Sequence, residues 1–166
     1  MRTRGGLAHD AEIFFVLDMM VIEGVLNPES PIPGHLEKDT VVFDWEERRK
    51  PRQRAKTRNG VEIAIAMPTG TILKDGDILF VGDSYYITVE AKKEDVIAIY
   101  PQSINESARI GFELGNRHLP VSIRGDVMST PYSHDTEGIL TTLRIPYQRK
   151  TEIFEPERLT GHHVHP

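Results

Sequence analysis

Short apolar runs separated by proline, glycine and aspartate divide the first half of the chain into segments typical of β-strands. The predicted strands are residues 21–25, 40–45, 61–67, 78–81 and 85–89. Asn59-Gly60 precedes the third of these strands and predicts a hairpin with a type I′ turn, because both residues tolerate positive φ. The first half is therefore predicted to be a small, mostly antiparallel β domain.

The second half adds two helical segments to this strand pattern. A strand at residues 96–100 precedes Ser103 and Glu106, which match a capping box and predict a helix that Gly115 ends. Two strands at 119–123 and 127–129, a second helix at 133–143 and a last strand at 147–154 follow. The order βαββαβ is that of the ferredoxin-like fold.

The predicted fold class is therefore α+β, with the β domain first, the ferredoxin-like domain second and a flexible histidine-containing tail at the C-terminus. The boundaries place an N-terminal extension at 1–18, the β domain at 19–92, the ferredoxin-like domain at 93–154 and the tail at 155–166. Two small domains fit a chain of 166 residues.

Composition narrows the function classes. The chain has a net charge of −5 and no cysteine, which argues against general nucleic-acid binding and excludes disulfides and cysteine-ligated metals. Asp18 and Glu23 interrupt the early apolar stretch before it reaches the length of a membrane span, so we expect a cytoplasmic protein. No phosphate loop, nucleophile elbow or His-Glu-x-x-His motif is present, so no enzyme is predicted.

One segment, residues 48–58, concentrates positive charge. It could contact nucleic acid or an acidic protein, although no aromatic residues are interleaved for base stacking. We favour a solvated edge strand, whose charges discourage sheet-to-sheet aggregation.

Histidine is the candidate chemistry of this chain. His162, His163 and His165 lie in the last five residues, and His118 follows the first predicted helix. Imidazole suits nickel, copper and zinc, but two ligands on a flexible tail do not hold a divalent ion tightly. In a symmetric dimer, two His118 side chains could face one ion and the tails could complete its coordination.

The remaining histidines have weaker claims. His134 could be a secondary metal ligand, a histidine held by the carboxylate of Asp135, or a surface residue at the start of the second helix. His9 and His35 are interpreted as solvent-exposed residues without a ligand role.

Four segments together resemble the urease accessory protein UreE family. They are residues 45–48 (Trp-Glu-Glu-Arg), 68–77, 114–121 (Leu-Gly-Asn-Arg-His-Leu-Pro-Val) and 154–157 (Phe-Glu-Pro-Glu). They occur in the family's order, and the resemblance covers the chain from about residue 20 to its end. The Gly-Asn-Arg-His element is the most specific of them.

The resemblance implies a homodimeric nickel metallochaperone that supplies Ni²⁺ for assembly of the urease active site. The β domain would engage partners, and the ferredoxin-like domain would dimerise and bind metal, with His118 at the interface and His162, His163 and His165 as tail ligands. The implied partners are the accessory GTPase UreG and apo-urease with its other accessory proteins. Zinc or copper could replace nickel in vitro.

Some members carry a histidine at the position of Tyr132, so this chain departs from their auxiliary metal site. Two other functions remain open from the residues themselves. One is a histidine-tailed metal buffer or sensor with no delivery role, and the other is a small metal-dependent hydrolase.

Overall fold

The computed structural model describes residues 13–16, 19–27 and 31–157. The chain divides into two compact units, Met1–Lys92 and Lys93–Pro166. Both α-helices of the described residues lie in the second unit, and the first is built from strands and one 3₁₀ turn. This arrangement confirms the predicted α+β class.

The described residues of the first unit form seven strands in two sheets. Their bounds are β1 Ile13–Val16, β2 Met19–Ile22, β3 Glu37–Phe43, β4 Arg52–Lys56, β5 Glu62–Ala66, β6 Ile78–Val81 and β7 Tyr85–Ala91. One sheet has the order β1-β2-β5-β4 and the other β3-β7-β6. β1 pairs with β2, so part of the segment assigned to an N-terminal extension belongs to a sheet.

The two sheets of this unit share one apolar core. Ile22 and Ile63 from the first sheet and Val41 and Ile87 from the second belong to one buried cluster. β2–β5 and β3–β7 pair in parallel, and the other three pairings are antiparallel. β4 lies at the edge of its sheet, as the charge pattern predicts.

The hairpin between β4 and β5 is present, but its predicted turn type is wrong. Gly60 has φ +89°, whereas Asn59 is not among the residues with positive φ. The Gly60 amide donates to the Thr57 carbonyl over 3.0 Å, and the Thr57 amide donates to the Val61 carbonyl over 2.9 Å. A turn with one residue of positive φ closed by glycine replaces the type I′ turn, which needs two.

The second unit has the ferredoxin-like order. Its elements are β8 Lys93–Ile99, α1 Ile104–Asn116, β9 Ser122–Arg124, β10 Val127–Pro131, α2 His134–Leu143 and β11 Tyr147–Ile153. The sheet order is β11-β8-β10-β9, and every pairing is antiparallel. β8 is central and fully buried at Ile97 and Ile99, which pack with Ile110 of α1 and Leu140 of α2.

Each helix begins at a serine cap. The Ser103 hydroxyl accepts the Glu106 amide over 3.2 Å, and the Glu106 carboxylate accepts the amide of Gln102 over 2.7 Å. The predicted capping box is therefore present, with its reciprocal bond one residue before the cap. Ser133 caps α2 in the same way by accepting the Thr136 amide over 3.1 Å. No helix among the described residues is long and apolar enough to cross a membrane.

Candidate metal site

The loop that carries His118 follows directly on α1. The His118 amide donates to the Gly115 carbonyl over 3.0 Å, and the Leu119 amide donates to the Leu114 carbonyl over 3.1 Å. This pair of hydrogen bonds is the Schellman arrangement, which satisfies the last carbonyls of a helix. Leu114 is buried, so the turn is anchored in the core of the second unit.

His118 occupies the left-handed position of this turn, with φ +54°. Glycine usually takes that position, because a Cβ there costs roughly 1 kcal/mol. The prediction that Gly115 would be this residue is wrong, since Gly115 lies within the last turn of α1. Backbone strain concentrates at functional sites, and here it falls on an exposed histidine.

One other non-glycine residue among the described residues has a positive φ. Arg144 follows α2 with φ +54°, and the Ile145 amide donates to the Leu140 carbonyl over 3.0 Å. The same turn therefore ends both helices, once with a histidine and once with an arginine. Arg144 provides an internal reference for the cost of a side chain in this conformation.

One exposed stripe of α1 is apolar. Ile104 is 88% exposed and Phe112 is 66% exposed. Ala108 and Gly115 are also exposed, and these four residues lie at intervals of three and four, on one face of the helix. The face ends one turn before His118.

The chain after β11 is fastened to the edge strand β9. The Glu157 amide donates to the Val121 carbonyl over 2.7 Å, and the Ile123 amide donates to Glu157 Oε1 over 3.2 Å. Arg124 and Glu155 form an ion pair at 2.7 Å. We call residues 155–157 the exit segment. It brings the end of the described chain to Val121, three residues after His118.

His134 begins α2 and is exposed. Its Nδ1 lies 3.1 Å from the Tyr132 hydroxyl, and the two rings meet edge to face with their centroids 5.5 Å apart. Which atom donates depends on the imidazole tautomer. The alternative in which the Asp135 carboxylate holds His134 is replaced by a pairing with the Tyr132 phenol.

Behind this pair, Glu137 joins α2 to β11. Its carboxylate accepts two hydrogen bonds from the Arg149 guanidinium, one from the Tyr147 hydroxyl over 3.2 Å and one from the Tyr132 hydroxyl over 3.3 Å. The Arg149 hydrogen bond is the main reason that the pKa of Glu137 is lowered. Burial raises the pKa of Tyr132, and the Arg149 guanidinium lies 4.3 Å from the centroid of its ring.

The described residues do not by themselves complete a metal site. Within residues 19–27 and 31–157, no three histidine or acidic side chains are grouped to hold an ion. The predicted ligands His162, His163 and His165 lie outside the described residues, as does His9. Of the predicted ligands, His118 and His134 lie within the described residues.

Comparisons with known proteins match both units. A family model for the N-terminal domain of the UreE urease accessory protein matches residues 22–92, and one for its C-terminal domain matches residues 94–166. A urease accessory protein UreE of Synechococcus sp. (strain JA-3-3Ab) is 34% identical over 142 residues, which cover 86% of this chain and 95% of the relative. One of Staphylococcus carnosus (strain TM300) is 36% identical over 149 residues, covering 86% and 98%.

A β unit followed by a ferredoxin-like unit, each matched along its length, defines a two-domain accessory protein of urease maturation. Within that class, the chain belongs to the UreE family. The resemblance found in the sequence is thereby confirmed.

Two features of this region were missed by sequence reasoning. The contacts of Glu137 with Arg149 join residues twelve apart, on elements whose pairing no local pattern reveals. The exit segment was visible only as part of a family motif, and its attachment to Val121 needed the position of β9. Acidic residues flanking a proline, just after the last strand, are the signal that could have indicated it.

Replacing His118 by glycine should stabilise the second unit, because glycine adopts the left-handed conformation without strain. We expect a gain of about 0.5 to 1 kcal/mol in the free energy of unfolding. Far-UV circular dichroism during urea unfolding measures the second unit, which holds both described helices, while fluorescence of Trp45 follows the first. Arg144→Gly is the matched control and should give a similar gain. A loss of stability in His118→Gly with a gain in Arg144→Gly would contradict the strain assignment.

Replacing Glu137 by glutamine should flatten the acid dependence of stability. The folded pKa of Glu137 lies below its ordinary value of 4.5, so its contribution is present above that pH and is lost as the pH falls through the folded pKa. The wild-type free energy of unfolding should therefore fall more steeply than that of Glu137→Gln below this value, measured by the same dichroism signal. Glu62→Gln, in the other unit, should keep the wild-type slope. Equal slopes for wild type and Glu137→Gln would refute the linkage.

Proposed function

We propose that this protein binds Ni²⁺ as a homodimer and delivers it for assembly of the urease metallocentre. His118 of each chain would provide the central ligands, and His162, His163 and His165 would complete the coordination. The observation that carries the proposal is the exposed histidine held in a strained turn at the end of α1, in a chain of the UreE family.

The need for a second chain follows from ligand number. One imidazole does not hold a divalent ion tightly, and structural or transport sites use several ligands. The described part of the chain groups no three suitable side chains. A two-fold axis near the end of α1 would bring two His118 side chains to one ion, because each residue at such an axis meets its own copy.

The exposed face of α1 supports that dimer. Large apolar side chains such as Ile104 and Phe112 are seldom left in water over a connected surface unless another molecule covers them. Ala108 and Gly115 on the same face are small enough to let a second helix approach closely. Because this face ends one turn before His118, a two-fold axis that runs along the helix, or crosses it near its C-terminal end, would place both His118 loops together.

The exit segment supports a role for the tail. His162 follows Glu157 by five residues, and an extended chain spans at most about 3.6 Å per residue, or roughly 18 Å in all. His118 lies three residues from Val121, to which Glu157 is bonded. Chain length therefore allows the tail histidines to reach His118 of the same chain.

A nucleotide-driven delivery step would require a partner protein, since this sequence contains no phosphate loop. We propose the accessory GTPase UreG and apo-urease with its accessory proteins, the β unit providing contacts to them. His134 would be a secondary ligand through Nε2, since its Nδ1 already meets the Tyr132 hydroxyl. Zinc and copper would compete in vitro, because imidazole binds copper more strongly than nickel.

Calorimetric titration with Ni²⁺ tests the role of His118. His118→Asn removes the imidazole, and asparagine tolerates the left-handed backbone, so the turn is preserved. We expect the affinity to fall on the order of tenfold or more, with His35→Ala, on the other unit, as the matched control that keeps wild-type binding. Binding should also weaken as the pH falls, since imidazole must be deprotonated to ligate. Unchanged affinity in His118→Asn would refute the shared site.

Delivery is separated from storage by mixing the nickel-loaded protein with apo-urease and its accessory proteins. Urease activity that appears in the presence of a competing chelator supports direct transfer. Activity that disappears once released nickel is trapped would favour the metal buffer or sensor instead.

A further inference from the structure

The first unit contains a cavity of about 510 Å³ where strands β3 and β7 begin. Glu37 and Tyr85 are the first residues of these two parallel strands and are partners in register. The turn between β4 and β5 closes another side of the cavity with Asn59 and Val61. The volume is within the range of small-ligand sites.

The lining of this cavity is acidic. Glu37, Asp39 and Asp83 contribute three carboxylates, and no lysine or arginine is among the lining residues. His35, interpreted from the sequence as an exposed histidine without a ligand role, also lines it. Walls of one charge sign raise the local concentration of ions of the opposite sign.

One of the three carboxylates, that of Asp39, is buried. It is 2% exposed, and its Oδ1 accepts the amides of Thr40 over 2.7 Å and Asn59 over 3.2 Å. Among the described residues, no donor reaches its Oδ2. A buried carboxylate oxygen without a partner is costly and is usually neutralised by a cation or a donor. Asp39 thus supplies a field beneath the cavity, while the exposed carboxylates of Glu37 and Asp83 are available for contact.

The apolar wall of the cavity is aromatic. The Tyr85 ring packs on Phe80 with the two centroids 5.3 Å apart, and both side chains are partly buried against the core of the unit. Gly82 allows this packing, because a Cβ there would approach Phe80 to 2.8 Å. A fixed tyrosine ring beside carboxylates is a surface on which a guanidinium stacks while it pairs with acid groups.

A metal ion fits this lining poorly. The described residues contain no group of three histidine or acidic side chains able to hold an ion, and that includes the four such residues here. A planar organic cation needs no such close convergence, since it spans several acceptors and uses the aromatic wall. The lining therefore favours a guanidinium over a divalent metal.

We propose that this cavity binds an arginine side chain presented by a partner protein. The guanidinium would pair with Glu37 and Asp83, stack on Tyr85 and neutralise the field of Asp39. The site is separate from His118 and lies wholly within the first unit, so it would give the β unit a charge-selective contact that does not depend on metal.

The test is a titration of the isotopically labelled full chain with a short peptide, acetyl-Gly-Ser-Arg-Ser-Gly-amide, followed by amide chemical shifts. We expect shifts concentrated at residues 35–39, 59–61 and 83–85. A peptide with citrulline, which has the shape of arginine without its charge, should bind at least tenfold more weakly. The double variant Glu37→Gln/Asp83→Asn changes only exposed side chains and should lower the affinity several-fold, on the order expected for two exposed charge pairs.

Asp39→Asn examines the buried carboxylate separately. Asparagine keeps an Oδ1 acceptor for the amides of Thr40 and Asn59, so the turn should be retained, and affinity for the arginine peptide should fall. Glu62→Gln, an exposed acid on β5 that does not line the cavity, is the matched control and should bind as wild type. Equal binding of the citrulline peptide, shifts centred elsewhere, or the same shifts produced by Ni²⁺ alone would overturn the proposal. If Asp39→Asn unfolds, the double variant still decides the outcome.

Discussion

The hydrogen bonds that close the end of α1 fix the backbone of His118, the residue on which the proposed metal site depends. The Leu114 carbonyl is anchored because Leu114 is buried, and the amide of Leu119 is bound to it. His118, the residue just before Leu119, must then adopt a left-handed conformation, for which glycine would be less strained. A histidine at this position therefore carries a local backbone cost that glycine would not. A cost of this kind is what the proposed metal ligand would accept in exchange for function.

The exit segment, residues 155–157, is bonded close to that turn, so two distant parts of the sequence lie near each other there. The Val121 carbonyl accepts the Glu157 amide, and the Ile123 amide donates to the Glu157 carboxylate. The segment that leads to the tail is therefore bonded along β9 and the residue before it. The tail histidines are more than forty residues from His118 in sequence. Glu157, which precedes the tail, is nevertheless bonded to Val121, three residues after His118. Helix α1 adds an exposed apolar face that ends at the same loop. Metal ligation and dimerisation are therefore proposed for one end of one helix.

Sequence patterns predicted elements well where the physics is local. The capping box at Ser103 begins α1 and the second helix was located from residue 133, while the pattern of apolar residues located the strands of the ferredoxin-like order to within a few residues. Local rules failed where two residue types competed for one role. Gly115 was expected to end α1, but its carbonyl accepts a hydrogen bond and the left-handed position falls three residues later. In the same way, Asn59-Gly60 formed a hairpin with a turn other than the one its composition favours.

The candidate site was less accessible to sequence, because its parts are tertiary. His118 stood out through its family motif, whereas its strain required a dihedral angle. The parallel register of β3 and β7, which brings Glu37 beside Tyr85 at the acidic cavity, arises between strands more than forty residues apart. No periodicity within either strand indicates which strand will be its neighbour. Buried Asp39 likewise shows its unpaired oxygen only in the folded unit.

The most direct measurement of the central claim is the nickel stoichiometry of the intact protein by native mass spectrometry. If paired His118 residues share one ion, the main species at limiting Ni²⁺ should be a dimer that carries a single nickel. A dimer of His118→Asn chains should carry none under the same conditions. Monomers that each retain one nickel, or a His118→Asn dimer that keeps its ion, would contradict the shared site.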